Sequence, residues 1–199
     1  MIESTPLPLA GPERQLRADA VRNRALLLDA AARLAEERGA AAITMETVAA
    51  AAGVGKGTVS RRFGDRNGLL QSLLDRSEIR FQEAFLSGPP PLGPGADPAT
   101  RLRAFGPALL RHEQHHLDLY LAAEPSPERR FSVPARRLRH RHLVVLLRAA
   151  LPDADAELLA HTLLSSLDVV LVDHLVRGHG MPLARVEAGW HDVVDRILG

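Results

Sequence analysis

Hydrophobic residues recur along most of the chain at the three- and four-residue spacing of amphipathic helices. Residues 17–38 carry Ala20, Leu27, Ala31 and Leu34 at such positions, which predicts a helix. Strand-like alternation is rare, so we predict an all-α protein. Comparable patterns predict the remaining helices over about 44–52, 56–62, 65–87, 98–123, 134–151, 155–177 and 182–198.

Proline and glycine divide this pattern. The clearest boundary is the run at 89–95, through which no regular helix passes. Pro107 predicts a kink or a later start for the helix over 98–123, and residues 124–127 interrupt the pattern again. No heptad run is long enough for a coiled coil.

The amino-acid composition excludes several kinds of site. The chain of 199 residues has no cysteine, which excludes disulfides, thiolate catalysis and cysteine zinc sites. No 18 consecutive apolar residues occur, so no membrane span is expected, and the start of the chain lacks the pattern of a secretory signal. We therefore expect residues 1–16 to be a disordered tail and the protein to be cytoplasmic.

The net charge of +1 hides an asymmetry. Residues 14–66 hold ten Arg or Lys and six Asp or Glu, whereas the rest of the chain holds fifteen and eighteen. A phosphate backbone would be expected to bind the positive part.

The most informative stretch, 43–74, predicts a short helix, a tight glycine turn and a second short helix. Ala49, Ala52 and Gly53 are small enough for the two helices to approach closely, and Gly55 permits close approach of a ligand to the backbone. Thr44 is a candidate N-cap, and because the residue three positions on is not acidic, no capping box is expected.

The second short helix has two predicted faces, as a DNA-recognition helix requires. The residues expected to point outward are Thr58, Ser60, Arg61 and Arg62. The residues expected to point inward are Val54, Val59 and Phe63.

This stretch resembles the DNA-binding domain of TetR-family regulators over about 22–74. The resemblance is carried by Thr44, an apolar-Ala-x-x-Ala-Gly helix at 48–53, the turn at 54–58, Phe63 and the start of the next helix at 65–70. The chain departs from the family pattern in having Gly55 where serine is common and Ser60, Arg61 and Arg62 in place of aromatic residues.

The resemblance implies a helix-turn-helix domain over 17–66 and a helical ligand-binding and dimerisation domain over 67–199. It implies a non-enzymatic repressor, without cofactor, that binds palindromic double-stranded operator DNA as a homodimer through its last two helices. An unknown small molecule would release it. The residues implied to bind DNA are Thr44, Lys56, Gly57, Thr58, Ser60, Arg61, Arg62 and Arg66.

The C-terminal half has no motif of its own. For the effector pocket we select helix faces that combine apolar and polar residues, namely Phe105, Leu109, His112, His116, Tyr120, Ser165 and Asp168. The apolar surface of the penultimate helix fits either a dimer contact or core within one chain. It comprises Leu163, Leu164, Leu167, Val170, Leu171, His174 and Leu175.

Several alternatives remain open. The helix-glycine-helix pattern also fits a plain helical hairpin in an interaction module that does not bind DNA. Residues 55–58 end like a phosphate-binding P-loop, but they lack its earlier glycine and preceding strand. His112, Glu113 and His116 match the short zinc-protease pattern without an identifiable third ligand, and we assign no catalytic or metal residues. His140 and His142 lie in an arginine-rich run expected on a solvated helix face.

Overall fold

The computed structural model describes residues 12–123 and 133–199, and every regular element in these ranges is a helix. Most of the predicted tail, residues 1–11, and the predicted interruption at 124–127 lie outside the described residues. The helices are α1 Pro12–Arg38, α2 Met45–Ala51, α3 Lys56–Phe63, α4 Arg66–Leu86, α5 Pro98–His115, α6 Leu117–Ala122, α7 Pro134–Ala150, α8 Ala156–Ser166, α9 Val169–Asp173 and α10 Leu183–Leu198.

The first helix begins earlier than the hydrophobic pattern predicts. Residues 12–16, expected in the tail, are helical, because Pro12 suits the first turn of a helix and the polar residues after it do not oppose one. Gly39, with φ of 77°, ends α1 and leads into a short 3-10 turn over Ala40–Ala42.

The chain forms two compact units, one ending at Leu73 and the other beginning at Leu74, so that the division falls within α4. The N-terminal unit has a core in which α2 and α3 pack against each other and α2 packs against α1. Its fully buried residues include Ala31, Ile43, Val48, Val59 and Leu70.

The C-terminal unit has a larger core, to which α5, α7, α8 and α10 contribute most. Trp190 on α10 packs against Gly106 on α5, where a Cβ atom would come within 2.2 Å of the indole ring. The glycine is therefore required for this contact.

Pro107 does not delay α5, which begins at Pro98 and continues through the proline, so the predicted later start is wrong. A proline has no N–H and leaves the carbonyl four residues earlier, that of Arg103, without its helical partner. The Trp190 indole Nε1 donates to this carbonyl and to that of Leu102, each at 3.2 Å. The tertiary contact thus replaces the hydrogen bond that the proline removes.

The predicted long helix over 155–177 is broken. It consists of α8, α9 and one π turn over His174–Gly178, because Asp168 caps α9 by accepting hydrogen bonds from the amides of Val170 and Leu171. By length and composition Ala156–Gly178 is apolar enough to cross a membrane, with a mean hydropathy of 1.4. Leu163, Leu164 and Leu167 in this segment are buried in the core of the C-terminal unit.

Candidate nucleic-acid interface

The start of α2 is fixed by a reciprocal pair of threonines. Thr44 Oγ1 accepts a hydrogen bond from the Thr47 amide at 3.1 Å, and Thr47 Oγ1 accepts one from the Thr44 amide at 2.9 Å. This is a capping box in which Thr47 takes the place of the usual acid, so the expectation that none would form is wrong.

The turn between α2 and α3 depends on Gly53, whose φ of 67° lies in the left-handed region. Gly55 precedes α3 and supplies no side chain to cap it. The first amides of α3 therefore face no side-chain acceptor of their own, and the end of a helix in this state attracts anions.

Helix α3 divides its residues as predicted, with one exception. Val59 and Phe63 are buried, Arg61 and Arg62 are exposed, and Thr58 and Ser60 are half-buried. Val54, predicted to face inward, is 38% exposed because it lies in the turn before the helix begins.

The cations of α3 point into solvent. Arg61 Nε donates to the carbonyl of Gly57 at 3.2 Å, one turn earlier on the same helix. Arg62 has no ion-pair partner in the part of the chain that the structure describes. Their charges are therefore available to a partner outside the chain.

Lys56, at the start of α3, is exposed but pairs with Glu46 at 2.5 Å. The hydrogen bond from Lys56 lowers the pKa of the Glu46 carboxyl. A phosphate that binds Lys56 would exchange with this carboxylate, which is a small cost for an exposed pair.

Arg66 is placed differently from the predicted phosphate contact. Its Nε donates to the Ile43 carbonyl and its Nη2 to the Ala40 carbonyl, both at 2.8 Å. The half-buried guanidinium thus ties the start of α4 to the connector before α2. These hydrogen bonds position the helix-turn-helix, and the phosphate contact of Arg66 stays a prediction.

A second polar cluster lies inside the C-terminal unit. Arg139 donates to Glu113 Oε1 at 2.5 Å through Nη1 and to Glu78 Oε1 through Nη2. Tyr120 also donates to Glu78 Oε1, and the His112 ring lies 3.3 Å from that oxygen and 3.0 Å from the tyrosine hydroxyl. We call these five residues the interior polar cluster.

Burial and charge act in opposite directions on the two carboxyls of this cluster. Burial would raise the pKa of Glu78, but the hydrogen bond from His112 and the charge of Arg139 outweigh it and lower the pKa. For Glu113 burial is the larger effect, and its pKa is raised despite Arg139. Burial also raises the pKa of the Tyr120 hydroxyl.

Aromatic rings surround one side of the interior polar cluster. Phe81 stacks on His112 with ring centroids 4.7 Å apart, and it contacts Phe85 and Phe105 at 5.3 and 5.8 Å. His142 lies against Phe85 at 4.5 Å. The C-terminal unit therefore encloses a continuous set of polar and aromatic side chains.

Three buried polar atoms in this region have no hydrogen-bond partner within the described residues: Glu78 Oε2, Arg139 Nε and His142 Nε2. A buried polar atom without a partner costs about 1–3 kcal/mol, so such atoms tend to mark function or bound water.

Comparison with known proteins decides the assignment of the N-terminal unit. Residues 27–73 match the profile of the family described as bacterial regulatory proteins, tetR family. The N-terminal unit belongs to the TetR family. Among curated proteins, none matches the sequence.

Solved structures have a similar fold over most of the chain. The fatty acid degradation regulator FadR from Bacillus halodurans has a TM-score of 0.64 and 17% identity over 94% of this chain and 96% of its own. The multidrug binding protein EbrR, complexed with imidazole, has a TM-score of 0.61 and 24% identity over 89% of this chain and 95% of its own. A protein from Saccharomonospora viridis described as a transcriptional regulator, in complex with choline, has a TM-score of 0.67 and 20% identity over 88% of this chain and 96% of its own.

The structure brings most of the predicted pocket residues of this TetR-type chain together. His112 and Tyr120 belong to the interior polar cluster, His116 lies beside His112 with ring centroids 5.4 Å apart, and Phe105 belongs to the aromatic set. Leu109 is buried in the same core.

Two predicted pocket residues have other contacts. Ser165 is exposed and donates to the His161 carbonyl at 2.8 Å, one turn earlier on its own helix. Asp168 caps α9 and lies 3.5 Å from Arg136. Neither is hydrogen-bonded to the interior polar cluster.

Sequence reasoning missed the cation of the cluster. Arg139 and His142 were expected on a solvated face, but both are buried. Their spacing to Leu143 and Leu146, which are also buried, follows one helical face and was the available signal. The charge of the arginine-rich run obscured this pattern.

Two residues of the zinc-protease pattern, Glu113 and His112, belong to the interior polar cluster. Glu113, the expected base, pairs with Arg139, and His112 is hydrogen-bonded to Glu78 and Tyr120. Within the described ranges no group of three candidate ligands for a metal ion is found.

Proposed function

We propose that this protein is a cytoplasmic transcriptional repressor that binds a palindromic operator as a homodimer and is released by a small molecule. The observation that carries the proposal is the exposed, positively charged face of α3, which presents Arg61 and Arg62 on a helix fixed by Val59 and Phe63. This is the division that a recognition helix needs.

The DNA contacts follow from the placement of each group. Arg61 and Arg62 are assigned to base edges, since a guanidinium can bind guanine with two hydrogen bonds. Lys56, Gly57 and the half-buried Thr58 and Ser60 are assigned to the backbone and groove edge beside the start of α3, and Thr44 to the phosphate near the start of α2. Two copies would place α3 in major grooves about 34–36 Å apart.

Dimerisation through the last two helices is supported by apolar residues left in solvent. Val170 and Leu171 on α9 and Val193 on α10 are each exposed by more than a third. We expect Leu171→Glu to convert the dimer to a monomer in sedimentation analysis. Val145→Glu on α7, which is 63% exposed, is the matched control and should remain dimeric.

The effector site is assigned to the interior polar cluster and its aromatic rings. The three buried atoms without partners offer hydrogen bonds to a ligand, and the surrounding phenylalanines offer apolar contact. The structural neighbours complexed with imidazole and choline make a small-molecule ligand plausible for this fold. Binding would favour a state of the dimer whose recognition helices fit DNA less well.

DNA recognition is tested by incubating the purified chain with sheared genomic DNA and sequencing the bound fragments. We expect enrichment of an inverted repeat, including the region upstream of the protein's own coding sequence. Uniform recovery of all fragments would show that the chain is not a sequence-specific regulator.

The effector assignment is tested with a compound screen for release of that DNA. A compound that releases the wild type should fail with His112→Phe, which keeps the ring but loses the bonds to Glu78 and Tyr120. His115→Phe changes an exposed histidine on the same helix and should respond normally. Equal responses would place the effector elsewhere.

A further inference from the structure

A pair of exposed histidines lies where α9 passes into its π turn. His179 donates its amide to the carbonyl of His174 at 3.1 Å, a hydrogen bond that spans five residues. In an α-helix the side chains of residues four apart share a face, whereas the wider π turn brings residues five apart into line. The π turn therefore sets the two imidazoles side by side.

The two rings converge on one point. Their Nε2 atoms are 2.9 Å apart, and the ring planes are nearly perpendicular at 87°. Only one proton fits between two nitrogens at this distance, so at most one ring donates to the other. Both side chains are exposed on the single chain.

A glycine and two carboxylates accompany the histidine pair in this part of the fold. Gly178 lies against the His174 ring, and a Cβ atom there would be 3.3 Å from Nδ1, so another residue would crowd the imidazole. In the same segment Arg177 pairs with both Asp173 and Asp118. Two carboxylates share one guanidinium, which leaves one negative charge in excess.

We propose that His174 and His179 bind one divalent transition-metal ion through their Nε2 atoms, with water in the remaining positions. Imidazole is a common ligand of such ions and binds as the neutral ring. In each ring the proton would lie on Nδ1, so the ion takes the place of the hydrogen bond between the rings.

The distance between the nitrogens indicates which ions fit. Two nitrogens 2.9 Å apart, each about 2.0–2.1 Å from an ion, subtend an angle of about 90° at the metal. That is the angle between neighbouring ligands in the square-planar and octahedral geometries of Cu²⁺ and Ni²⁺. Tetrahedral zinc requires about 109° and a wider separation. The separation thus fits Cu²⁺ or Ni²⁺ more closely than tetrahedral zinc.

The test is a calorimetric titration of the full chain, without a histidine tag, with Cu²⁺, Ni²⁺ and Zn²⁺. We expect one Cu²⁺ per chain, with two nitrogens on the copper in its electron paramagnetic resonance spectrum, and Ni²⁺ binding at least as tight as Zn²⁺. His174→Ala and His179→Ala should each weaken binding by at least ~10-fold, since even a residue that only orients a ligand contributes that much.

The matched control is another histidine pair of the C-terminal unit. The rings of His140 and His161 are 4.0 Å apart, but His140 Nε2 is already 3.2 Å from the carbonyl of Glu157. His161→Ala should leave the titration unchanged. Unaltered binding in His174→Ala and His179→Ala would overturn the site, and tighter binding of Zn²⁺ than of Ni²⁺ would overturn the assigned geometry.

Discussion

The N-terminal unit keeps Arg61 and Arg62 in solvent on α3, whereas the C-terminal unit encloses Arg139 between Glu78 and Glu113. An exposed guanidinium costs the fold little and remains available to a partner. A buried one must be compensated within the chain, because an unpaired charge in the interior is strongly destabilising. The same residue type is therefore available to a partner in one unit and stabilises the interior in the other.

The largest effect should follow from removing the buried charge. Arg139→Met keeps much of the side-chain volume but leaves Glu78 and Glu113 without their cation, and we expect a loss of about 3–5 kcal/mol in the free energy of unfolding. Chemical denaturation of the wild type and the variant measures this loss of stability. Arg141→Met, two residues along the same helix and exposed, should change stability by less than about 0.5 kcal/mol. Equal losses would contradict the comparison.

A smaller effect is expected on DNA from the exposed arginines. Arg61→Ala should remove about 1–3 kcal/mol of discrimination at one base pair and so change the preferred sequence. Lys56→Ala should weaken all sequences alike, because a phosphate contact carries no sequence information. Binding to a library of duplexes with single substitutions separates the two results. Preferences unchanged by Arg61→Ala would remove its assignment to base edges.

Lowering the pH should destabilise the C-terminal unit, where all nine histidines lie. Burial and the charge of Arg101 lower the pKa of His142 to about 4, from an ordinary value of 6.5. Between these values the folded chain binds fewer protons than the unfolded chain, so stability falls as the pH falls. We expect about 2–3 kcal/mol of loss over this interval.

His142→Gln should flatten this part of the pH profile, whatever its effect at neutral pH. His161→Gln, at an exposed position, should leave the slope of the wild type. Parallel profiles for all three proteins would show that His142 titrates as it does in the unfolded chain.

The smallest effect is expected for the exposed pair of Lys56 and Glu46. Glu46→Gln should leave the midpoint of thermal unfolding unchanged within the precision of the measurement, since an exposed ion pair adds little to stability. It should, however, free Lys56 for phosphate and strengthen DNA binding modestly. A clear drop in the midpoint would mean that the pair is structural.

The sequence allowed much of the fold to be predicted, because hydrophobic spacing and helix punctuation are local signals. The start of α3 after the turn at Gly53 and the break at 89–95 are examples. The interruption at Asp168 was missed, since the apolar pattern continues through it and only the hydrogen bonds to Val170 and Leu171 reveal the cap.

In the candidate sites, too, local features could be predicted from the sequence and contacts between distant residues could not. Arg61 and Arg62 could be placed outward because α3 is short and its apolar residues set its orientation. The pairing of Arg139 with Glu78 and Glu113 joins residues 61 and 26 positions apart, and no local pattern reports such a contact. The structural contacts of Arg66 could not be predicted for the same reason, because its carbonyl partners lie 23 and 26 residues earlier.

The central claim, that α3 is a positively charged probe for duplex DNA, is tested most directly by measuring the affinity for the captured DNA across a salt series. The wild type should lose affinity steeply as salt rises, and Arg62→Gln should weaken binding because α3 then carries one cation fewer. Arg141→Gln, which removes an equally exposed arginine from the C-terminal unit, should match the wild type. Identical curves for all three proteins, or binding that does not respond to salt, would contradict the account.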